Sequence, residues 1–345
     1  MARRPPFQRS TLKDIAQQVG VTTTTVSRAL NNKPDVSEET RQRILALAQE
    51  LGYQPSAAAR SLKLRTTETI ALLFPDISGP FYSEVIRGVE QEAGQSQYNV
   101  LIYGTHGKPS ALRFLHSLNG RIDGLILMAR SVDDDYVLRL ARQRLPFVLL
   151  GFRVAEVAAD TLLVDNQVGA YRAVRHLIEH GHRRIAFIAG PTDSPDSQAR
   201  LAGYRQCLAD NGLAWQDELV ASGNFRRPSG TTATERLLGL PQPPGAVLVA
   251  NDEMALGAIE AARARGVRVP EDLAVIGFDD IDLASYVFPP LTTVRQPMCK
   301  LGSIAVQMLL RRLQEPDSQA EVRILPVELV VRGSCGCAGS DHERG

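Results

Sequence analysis

The chain of 345 residues is 44% hydrophobic and 22% charged, a globular composition that excludes a disordered chain and is long enough for two or three domains. Its 39 basic and 38 acidic residues nearly cancel, but residues 1–65 hold eleven Lys and Arg against five Asp and Glu. A basic head on a mildly acidic body is typical of nucleic-acid-binding proteins.

The N-terminus and the cysteines bear on location and cofactors. Residues 1–10 contain three arginines and two prolines and no apolar stretch of a secretory signal. No run approaches the ~18–20 apolar residues that span a bilayer. Cys207 and Cys299 are isolated, and Cys335 and Cys337 lack the four-ligand spacing of structural zinc. We therefore predict a cytoplasmic protein without a metal or another cofactor.

Residues 11–31 predict two short helices joined by a tight turn. Thr11 and Asp14 have the spacing of a capping box, Thr22 can cap the second helix, and Gly20 stands where the turn needs a positive φ. The apolar positions have the spacing of a helix-turn-helix seam: Ile15, Val19, Val21, Val26 and Leu30.

The outer face of the second helix consists of hydrogen-bonding side chains: Thr23, Thr24, Ser27, Arg28 and Asn31. Hydroxyl groups pair permissively with base edges in the DNA major groove, and an arginine reads guanine with two hydrogen bonds. The alternative is an amphipathic helical hairpin with a solvated face. Because the capping, glycine and apolar positions agree, we favour DNA binding.

Two further segments complete the basic head. Ser37 can cap a third helix that ends at Gly52, which gives a bundle of roughly fifty residues. After a break at residues 54–56, an Ala-rich segment follows in which Leu62 is the one large apolar side chain. A linker then leads to Thr69.

From Thr69 onward, short apolar runs alternate with helical stretches. Such alternation predicts parallel sheets covered by helices on both faces, and two such units suit the length. The predicted strands are 69–74, 99–104, 124–128, 147–152, 161–165, 183–190, 246–251 and 273–279. The predicted helices are 81–96, 110–118, 134–143, 167–180, 198–211, 229–239 and 252–265.

Ordered motifs along residues 10–334 resemble the lac repressor (LacI/GalR) family of bacterial regulators. They include TLKDIAQQVGVTTTTVSRALN, VSEETRQRILALAQELGYQPSAAARSLK, VDNQVGAYRAVRHLIEHGHRRIAFIAGP, VLVANDEMALGAIEAARARGVRVPEDLAVIGFDD and PPLTTVRQP. The resemblance implies an all-α helix-turn-helix headpiece, a hinge helix, and an α/β core like the periplasmic sugar-binding proteins. That core has two doubly wound parallel-sheet subdomains joined by three crossovers.

The resemblance also implies domain boundaries. They are a headpiece at 1–54, a hinge and linker at 55–68, an effector-binding and dimerisation core at 69–334, and a disordered tail at 335–345. Within the core, the N-subdomain would hold 69–165 and 291–320, and the C-subdomain 166–290 and 321–334. The strand at 291–296 and the helix at 298–314 would thus return to the N-subdomain.

Carried over residue by residue, the resemblance assigns base-edge contacts to Thr23, Thr24 and Arg28. The full DNA-binding set is Thr11, Thr22, Thr23, Thr24, Thr25, Ser27, Arg28, Asn31, Ala59, Leu62 and Lys63. The last three would lie in the minor groove, where Leu62 would wedge between base pairs. The alternative for Leu62 is that it packs on the core.

Ligands of such folds bind between the lobes, beyond the carboxyl ends of strands. The matching residues are Asp76, Phe81, Tyr82, Asp196, Arg200, Phe225, Asn251 and Asp279. Individually they have structural alternatives, such as Asp252 or Asp280 capping a helix or a phenylalanine lying in the core. The acid at Asp196 favours a ligand with several hydroxyl groups, hence a sugar or sugar derivative. A purine is the alternative, because Phe81, Phe225 and Arg200 also suit a flat base.

Two patterns are typical of enzymes. Residues 176–180 fit the zinc-hydrolase pattern H-x-x-E-H, and Asp279 with Asp280 resembles a catalytic carboxylate pair. The first lies in the last turn of a helix, where histidines suit the helix C-terminus, and the second sits on a strand end, where neighbouring side chains point apart. We predict that the protein is not an enzyme.

We therefore expect a homodimeric, ligand-responsive repressor of carbohydrate-utilisation genes that binds a near-palindromic DNA operator. The segment after Arg332 has no apolar heptads for a tetramer-forming helix, which favours the dimer. A purine- or phosphocarrier-controlled regulator is an alternative within the family. A solute-binding receptor is the alternative from another class, and the missing signal peptide and the basic head count against it.

Overall fold

The computed structural model describes residues 10–53, 66–75, 79–105, 114, 117, 118, 120–128, 133–143 and 145–337. The chain divides into two compact units, one ending at Thr67 and the other beginning at Glu68.

In its described residues, the first unit contains three helices: α1 (Leu12–Val19), α2 (Thr23–Leu30) and α3 (Glu38–Glu50). The predicted caps are confirmed. Thr11 and Asp14 form a capping box, and the side chains of Thr22 and Ser37 accept hydrogen bonds from backbone N–H groups in the first turns of α2 and α3. These bonds satisfy donors that would otherwise lack partners, so local sequence fixes where each helix begins.

The three helices pack around a small apolar core. Ile15, Val26 and Ile44 are fully buried, one from each helix. Gly20 has a φ of +78°, which allows the chain to turn tightly between α1 and α2. This core holds α2 with its opposite face toward solvent.

The second unit contains two six-stranded sheets. The first has the order β11-β5-β4-β3-β1-β2, and its paired strands are all parallel. Its strands are β1 (Thr69–Phe74), β2 (Asn99–Gly104), β3 (Gly124–Met128), β4 (Phe147–Leu150), β5 (Asp160–Val164) and β11 (Val322–Leu325). We call this sheet with its helices the first lobe.

The second sheet has the order β12-β10-β9-β8-β6-β7, in which only the edge strand β12 is antiparallel. Its strands are β6 (Ile185–Ala189), β7 (Val220–Ser222), β8 (Ala246–Val249), β9 (Ala274–Asp279), β10 (Thr292–Arg295) and β12 (Glu328–Val330). This sheet with its helices is the second lobe. The predicted class of two doubly wound parallel sheets is confirmed.

Helices cover both sheets, as parallel sheets with buried faces require. In the second unit they are α4 (Pro80–Gln95), α5 (Asp134–Arg142), α6 (Asn166–Glu179), α7 (Pro195–Asp210), α8 (Arg227–Leu238), α9 (Asp252–Ala264), α10 (Leu283–Tyr286) and α11 (Met298–Gln314). Short 3-10 turns lie at Asp217–Leu219 and Gly333–Cys335. Among the described residues, no helix combines the length and apolar character needed to cross a membrane.

The chain crosses between the lobes three times, but two of the predicted crossing points are wrong. Strand β10 was predicted in the N-subdomain, and it pairs with β9 in the second lobe. Strand β11 was predicted in the C-subdomain, and it pairs with β5 in the first lobe. Of the elements between β10 and β11 in the chain, α11 lies in the first lobe. A four-residue strand carries no local signal of which sheet it joins, because pairing is decided by distant partners.

The pairing partners explain both corrections. Thr292 and Thr293 of β10 are fully buried, and the Thr293 hydroxyl donates a 2.5 Å hydrogen bond to Asp252 of the second lobe. Beside β11, buried Asp160 accepts hydrogen bonds of 2.8 Å from the Glu321 N–H and the Arg312 Nε. These long-range polar contacts fix each short strand to its sheet.

The start of the predicted disordered tail is also wrong. Ser334 is fully buried: its hydroxyl donates to the Val275 carbonyl at 2.6 Å and accepts from the Thr292 N–H at 2.8 Å. Cys335 is only 2% exposed. The ordered chain therefore continues at least to Cys337, and residues 338–345 lie outside the described part.

Helices α4 and α11 cross closely because each contributes a glycine. A Cβ atom at Gly88 would lie 1.8 Å from the carbonyl oxygen of Cys299, and one at Gly302 would lie 2.1 Å from that of Val85. Both distances are far shorter than a van der Waals contact, so only glycine fits at each of these two positions. The crossing holds α4, whose first turn carries Phe81 and Tyr82.

We expect Gly302→Ala to destabilise the second unit, because the extra methyl group would force the two helix backbones apart. Overpacking of this kind costs about 1–3 kcal/mol, or several degrees in the thermal midpoint. The matched control is Gly94→Ala in the same helix pair, where a Cβ would meet no atom within 4 Å. That variant should be neutral or slightly stabilising. Thermal unfolding of both variants checks this, and equal midpoints would contradict it.

Candidate functional site

The exposed face of α2 carries most of the predicted major-groove residues. Thr22, Thr23, Thr24, Arg28 and Asn31 are exposed, and Thr25 and Ser27 are half-buried. Thr11 is exposed at the start of α1. The first turn of α2 thus presents a run of hydroxyl groups, which is the part of a recognition helix that meets base edges.

Several of these side chains already have local partners. Thr11 is occupied by its capping box, and the Thr22 hydroxyl lies 2.9 Å from that of Thr25. The Asn31 amide donates to the Ser27 carbonyl at 2.6 Å. No hydrogen bond to the side chains of Thr23 or Thr24 occurs within the described part of the chain. Thr23 and Thr24 therefore carry the hydroxyl groups that are best placed for base contact.

Arg28 forms an ion pair with Asp35 from the loop before α3. The Nε and Oδ2 atoms are 2.6 Å apart, and the two side chains are 53% and 46% exposed. An exposed pair of this kind contributes about 0–1 kcal/mol, so the guanidinium can exchange Asp35 for a base or phosphate at little cost. The predicted minor-groove residues Ala59, Leu62 and Lys63 lie outside the described residues.

The second unit contains a cavity of about 530 Å³ between the two lobes, within the usual range for small-molecule sites. Seven of the eight predicted effector residues line it: Phe81, Tyr82, Asp196, Arg200, Phe225, Asn251 and Asp279. The eighth, Asp76, lies outside the described residues. Further lining residues include Asn224, Arg226, Glu253, Ile281 and Gln296.

Asp279 is the most constrained residue of the cavity. It ends β9 with a φ of +126°, in a region that non-glycine residues rarely adopt. Its carboxylate accepts a 2.6 Å hydrogen bond from the Gln296 amide and lies 3.8 Å from an Arg200 nitrogen. Such strain persists only where the surroundings hold it, and it is typical of functional sites.

Buried Asp252 fixes the turn that follows Asp279. Its carboxylate accepts hydrogen bonds from the Thr293 hydroxyl and, at 3.0 Å, from the Ile281 N–H. A Cβ at Gly277 would lie 2.1 Å from this carboxylate, so glycine leaves room for it. Complete burial and the nearby Asp279 raise the pKa of Asp252 well above its ordinary value. Asp252 therefore supports the strand end, and it is not the helix cap.

Arg200 is held in place by several groups of the second lobe. It is 4% exposed, donates to the Asn166 side chain at 2.8 Å and to the Ala250 carbonyl, and stacks 3.8 Å above the Phe278 ring. Asn166 in turn donates to Asp196 at 2.8 Å. Arg200 thus helps to orient two carboxylates of the cavity, Asp279 directly and Asp196 through Asn166, and one planar face of its guanidinium is already covered by Phe278.

Phe225 forms an aromatic wall of the cavity, and Asn251 lies beside it. Phe225 has a φ of +64°, and its ring occupies the space beside Gly190, where a Cβ would lie 2.3 Å from ring atoms. The Asn251 amide donates to the Phe225 carbonyl at 3.1 Å, while its oxygen caps α9 by accepting from the Met254 N–H. Asn251 therefore positions Phe225 as well as lining the cavity.

The first lobe contributes Phe81 and Tyr82 from the start of α4. Their rings pack edge to face with centroids 5.4 Å apart, and Tyr82 packs on buried Phe74 in the same manner. Burial, together with the carboxylates of Asp196 and Asp279, raises the pKa of Tyr82 to about 12. The phenol stays protonated and can donate a hydrogen bond across the cleft.

Burial also changes the pKa of two of the cavity carboxyls, Asp279 and Asp196. It raises the pKa of Asp279 to about 7, although the Arg200 guanidinium opposes the shift. Burial raises the pKa of Asp196 as well, against the opposing effects of Arg200 and Asn166. A ligand that donates hydrogen bonds would favour the ionised form of both buried groups, so the cavity is suited to a ligand with hydroxyl groups.

Gln296 holds Asp279 from the next strand, although the strand-end pattern of the sequence did not predict it. Asp279 and Arg295 are register partners of the parallel pair β9 and β10, so Gln296 necessarily emerges beside the β9 carboxyl end. It was missed because β10 had been assigned to the other lobe. The motif PPLTTVRQP would have indicated Gln296 had its strand been placed correctly.

Comparison with known proteins gives two family matches. Residues 11–56 match the bacterial regulatory proteins of the lacI family, and residues 174–335 match the periplasmic binding protein-like domain. The chain is 40% identical over 327 residues to the HTH-type transcriptional repressor CytR of Escherichia coli (strain K12), covering 94% of this chain and 96% of the relative. The chain belongs to the lacI family of bacterial regulatory proteins.

Solved structures of lacI-family proteins agree with this fold. The lac repressor dimer bound to operator and the anti-inducer ONPF has a TM-score of 0.85 and 30% identity, covering 95% of this chain and 99% of that chain. The complex of the transcriptional regulator CelR with cellobiose has a TM-score of 0.73 and 34% identity, covering 94% of this chain and 100% of that chain. The resemblance predicted from the motifs is confirmed.

Family membership settles the enzyme question. The relatives are transcriptional repressors, and the chain is accordingly a DNA-binding regulator and not an enzyme. In the structure, the carboxylates of the predicted pair have separate tasks: Asp279 faces the cavity, and Asp280 pairs with Arg295 and Arg332.

Proposed function

We propose that this protein is a repressor that binds a near-palindromic operator as a homodimer and responds to a sugar or sugar derivative in the interlobe cavity. The observation that carries the proposal is the combination of an exposed hydroxyl-rich helix face in one unit with a polar, aromatic-walled cavity in the other. The cytoplasm, where the operator DNA is found, is its proposed location.

The cavity chemistry supports a polyhydroxylated ligand. Asp196 and Asp279 can accept hydrogen bonds from hydroxyl groups, Tyr82 can donate one, and Phe225 can pack against the apolar face of a sugar ring. The CelR–cellobiose complex is a relative of the same fold that binds a sugar. A purine effector is less well supported. Arg200, which would stack on a flat base, is buried and already stacks on the Phe278 ring.

Exposed apolar side chains support the dimer. On the second lobe, Tyr286 is 83% exposed and Phe288 is 78% exposed. On the first lobe, Leu101 and Ile102 are partly exposed on β2, an edge strand of its sheet. Exposed apolar patches and open sheet edges mark association surfaces, and the similar lac repressor is a dimer.

The regulatory mechanism follows from the cavity position. Phe81 and Tyr82 belong to the first lobe, whereas Asp279 and Phe225 belong to the second, so a ligand that contacts both favours one arrangement of the lobes. The two heads of a dimer then change their ability to contact two half-sites together. The effect on operator affinity cannot exceed the difference in ligand affinity between the two arrangements.

A gel-shift experiment tests the proposal. The full chain is titrated onto DNA from its own upstream region and onto shuffled DNA, each with and without a panel of mono- and disaccharides, nucleosides and purines. We expect sequence-dependent binding that one carbohydrate changes by at least about fivefold, as expected for an allosteric coupling of 1 kcal/mol or more.

The same titration separates the alternatives. A response to purines or nucleosides alone would replace the sugar with a flat-base effector. A response only in the presence of a phosphocarrier protein would identify protein control. Ligand binding without any sequence-dependent DNA binding would support the solute-receptor alternative and contradict the repressor proposal.

A further inference from the structure

Two histidines and two cysteines meet at the C-terminal end of α6. The His176 Nε2 atom lies 3.4 Å from the Cys335 Sγ and 3.3 Å from the Cys337 Sγ. The His180 Nε2 atom lies 3.0 Å from the Cys337 Sγ, and the two sulfur atoms are 3.3 Å apart. The donor atoms of His176, His180 and Cys337 all lie within 4.8 Å of one another.

The fold positions each of these side chains. His176 and His180 are four residues apart, so both point to the same side of the helix end. The 3-10 turn that carries Cys335 is anchored by the buried hydroxyl of Ser334. Gly336 has a φ of +87°, which reverses the chain and returns Cys337 toward the histidines.

The ring of His180 is oriented as in a metal-ligating histidine. Its Nδ1 atom lies 2.7 Å from the His176 carbonyl oxygen, which can only accept, so Nδ1 carries the proton. The Nε2 lone pair is then directed to the side where Cys337 lies. A hydrogen bond from the second ring nitrogen to a backbone carbonyl is the usual outer partner of a histidine ligand.

The distances suit a small tetrahedral ion. Zinc–sulfur bonds of about 2.3 Å and zinc–nitrogen bonds of about 2.0–2.1 Å place tetrahedral ligand atoms roughly 3.3–3.8 Å apart. Four of the six ligand pairs have separations of 3.0 to 3.4 Å, which require only a small outward adjustment, and Cys335 must also move toward His180 to complete the set. Thiolate and imidazole ligands favour zinc over magnesium, calcium or manganese.

We propose that His176, His180, Cys335 and Cys337 bind a Zn²⁺ ion that fastens residues 333–337 to the end of α6. Neither the histidine motif nor the cysteine pair predicts a metal site by itself, and nothing in the sequence indicates that they meet. Four protein ligands leave no open coordination position, so the site is structural and not hydrolytic. In agreement, the intervening Glu179 pairs with Arg175 at 2.9 Å.

Metal analysis of the full-length, untagged and reduced chain tests this site. After incubation with Zn²⁺ and removal of the excess by gel filtration, we expect one zinc per chain by atomic emission. Co²⁺ in place of zinc should give the visible absorption bands of tetrahedral thiolate coordination. Zn²⁺ should also raise the thermal midpoint, since an ion that binds only the folded chain stabilises it.

Variants decide whether His180 and Cys337 hold the ion. His180→Ala and Cys337→Ser should lose stoichiometric zinc, the Co²⁺ spectrum and the thermal shift. Cys299→Ser in the first lobe and Glu179→Gln within the H-x-x-E-H motif should keep all three. Zinc retained in both ligand variants, or absent from the parent chain, would overturn the proposal and leave only thiol–imidazole hydrogen bonds. An oxidised Cys335–Cys337 pair in the reduced preparation would overturn it equally.

Discussion

Asp279→Asn is expected to lower ligand affinity by about ten- to a hundredfold while leaving operator binding without ligand intact. The substitution keeps the shape of the side chain and removes the charge that a hydroxyl group of the ligand would meet. Hydrogen bonds to charged groups contribute about 1.5–3 kcal/mol, which corresponds to that range. Isothermal titration with the effector found by the gel-shift panel measures the loss, and a gel shift measures operator binding.

Asp280→Asn is the matched control, because Asp280 is the chain neighbour of Asp279 and also has a positive φ. Its carboxylate pairs with Arg295 and Arg332 and does not line the cavity. We expect this variant to lose stability but not ligand affinity. If both variants lost affinity to the same extent, Asp279 would act through the turn and not through contact with the ligand.

The pH profile provides an independent signature of the same contact. With a pKa of about 7, Asp279 is mostly protonated at pH 6 and mostly ionised at pH 8. If the ionised carboxylate accepts the ligand hydroxyl, affinity should rise about tenfold over this interval. In Asp279→Asn the rise should be absent. An affinity that falls with pH would mean that the protonated acid donates to the ligand.

The elements that could be predicted from the sequence are those decided within a few residues. The caps at Thr11, Thr22 and Ser37 and the positive φ of Gly20 depend on neighbours in the chain, and all four are confirmed. Most strand and helix positions between Thr69 and Asp279 follow from apolar periodicity in the same way, whereas β7, β11 and β12 were not predicted and the predicted helix at 110–118 lies almost wholly outside the described residues. A local physical cause leaves a local signal in the sequence.

Features that depend on distant partners were wrong or missed. The sheet that β10 joins is decided by β9 and by Asp252, and neither is visible in the segment LTTVRQ. Gln296 was missed for the same reason. His176 and Cys335 are separated by 159 positions, yet they meet because the last 3-10 turn packs on the second lobe.

The structure also refines what individual cavity residues do. Arg200 was expected to contact the ligand, and its hydrogen bonds show that it orients Asn166 and lies beside Asp279. Asn251 caps a helix and holds the backbone of Phe225. Sequence position at a strand end identified the cavity, whereas the division between ligand contact and support depends on packing that only coordinates reveal.

Arg28→Ala is expected to reduce affinity for the cognate operator far more than affinity for shuffled DNA. A bidentate arginine–guanine contact is worth about 1–3 kcal/mol, and a dimer presents two copies, so the expected loss is roughly 2–6 kcal/mol. The head should remain folded, because Arg28 is 53% exposed and its only ion pair among the described residues is the surface pair with Asp35. Quantitative gel shifts at fixed salt, with thermal unfolding as the folding check, measure both quantities.

Asp35→Asn separates base recognition from a structural role of the Arg28–Asp35 pair. If the pair mattered for the fold, both substitutions would lower the thermal midpoint together. We instead expect Asp35→Asn to bind the operator as tightly as the parent chain or more tightly. In this variant the Arg28 guanidinium no longer has to leave the Asp35 carboxylate before it contacts DNA. An Arg28→Ala loss that is equal on operator and shuffled DNA would show a phosphate contact, and sequence recognition would then rest on the hydroxyl groups of Thr23 and Thr24.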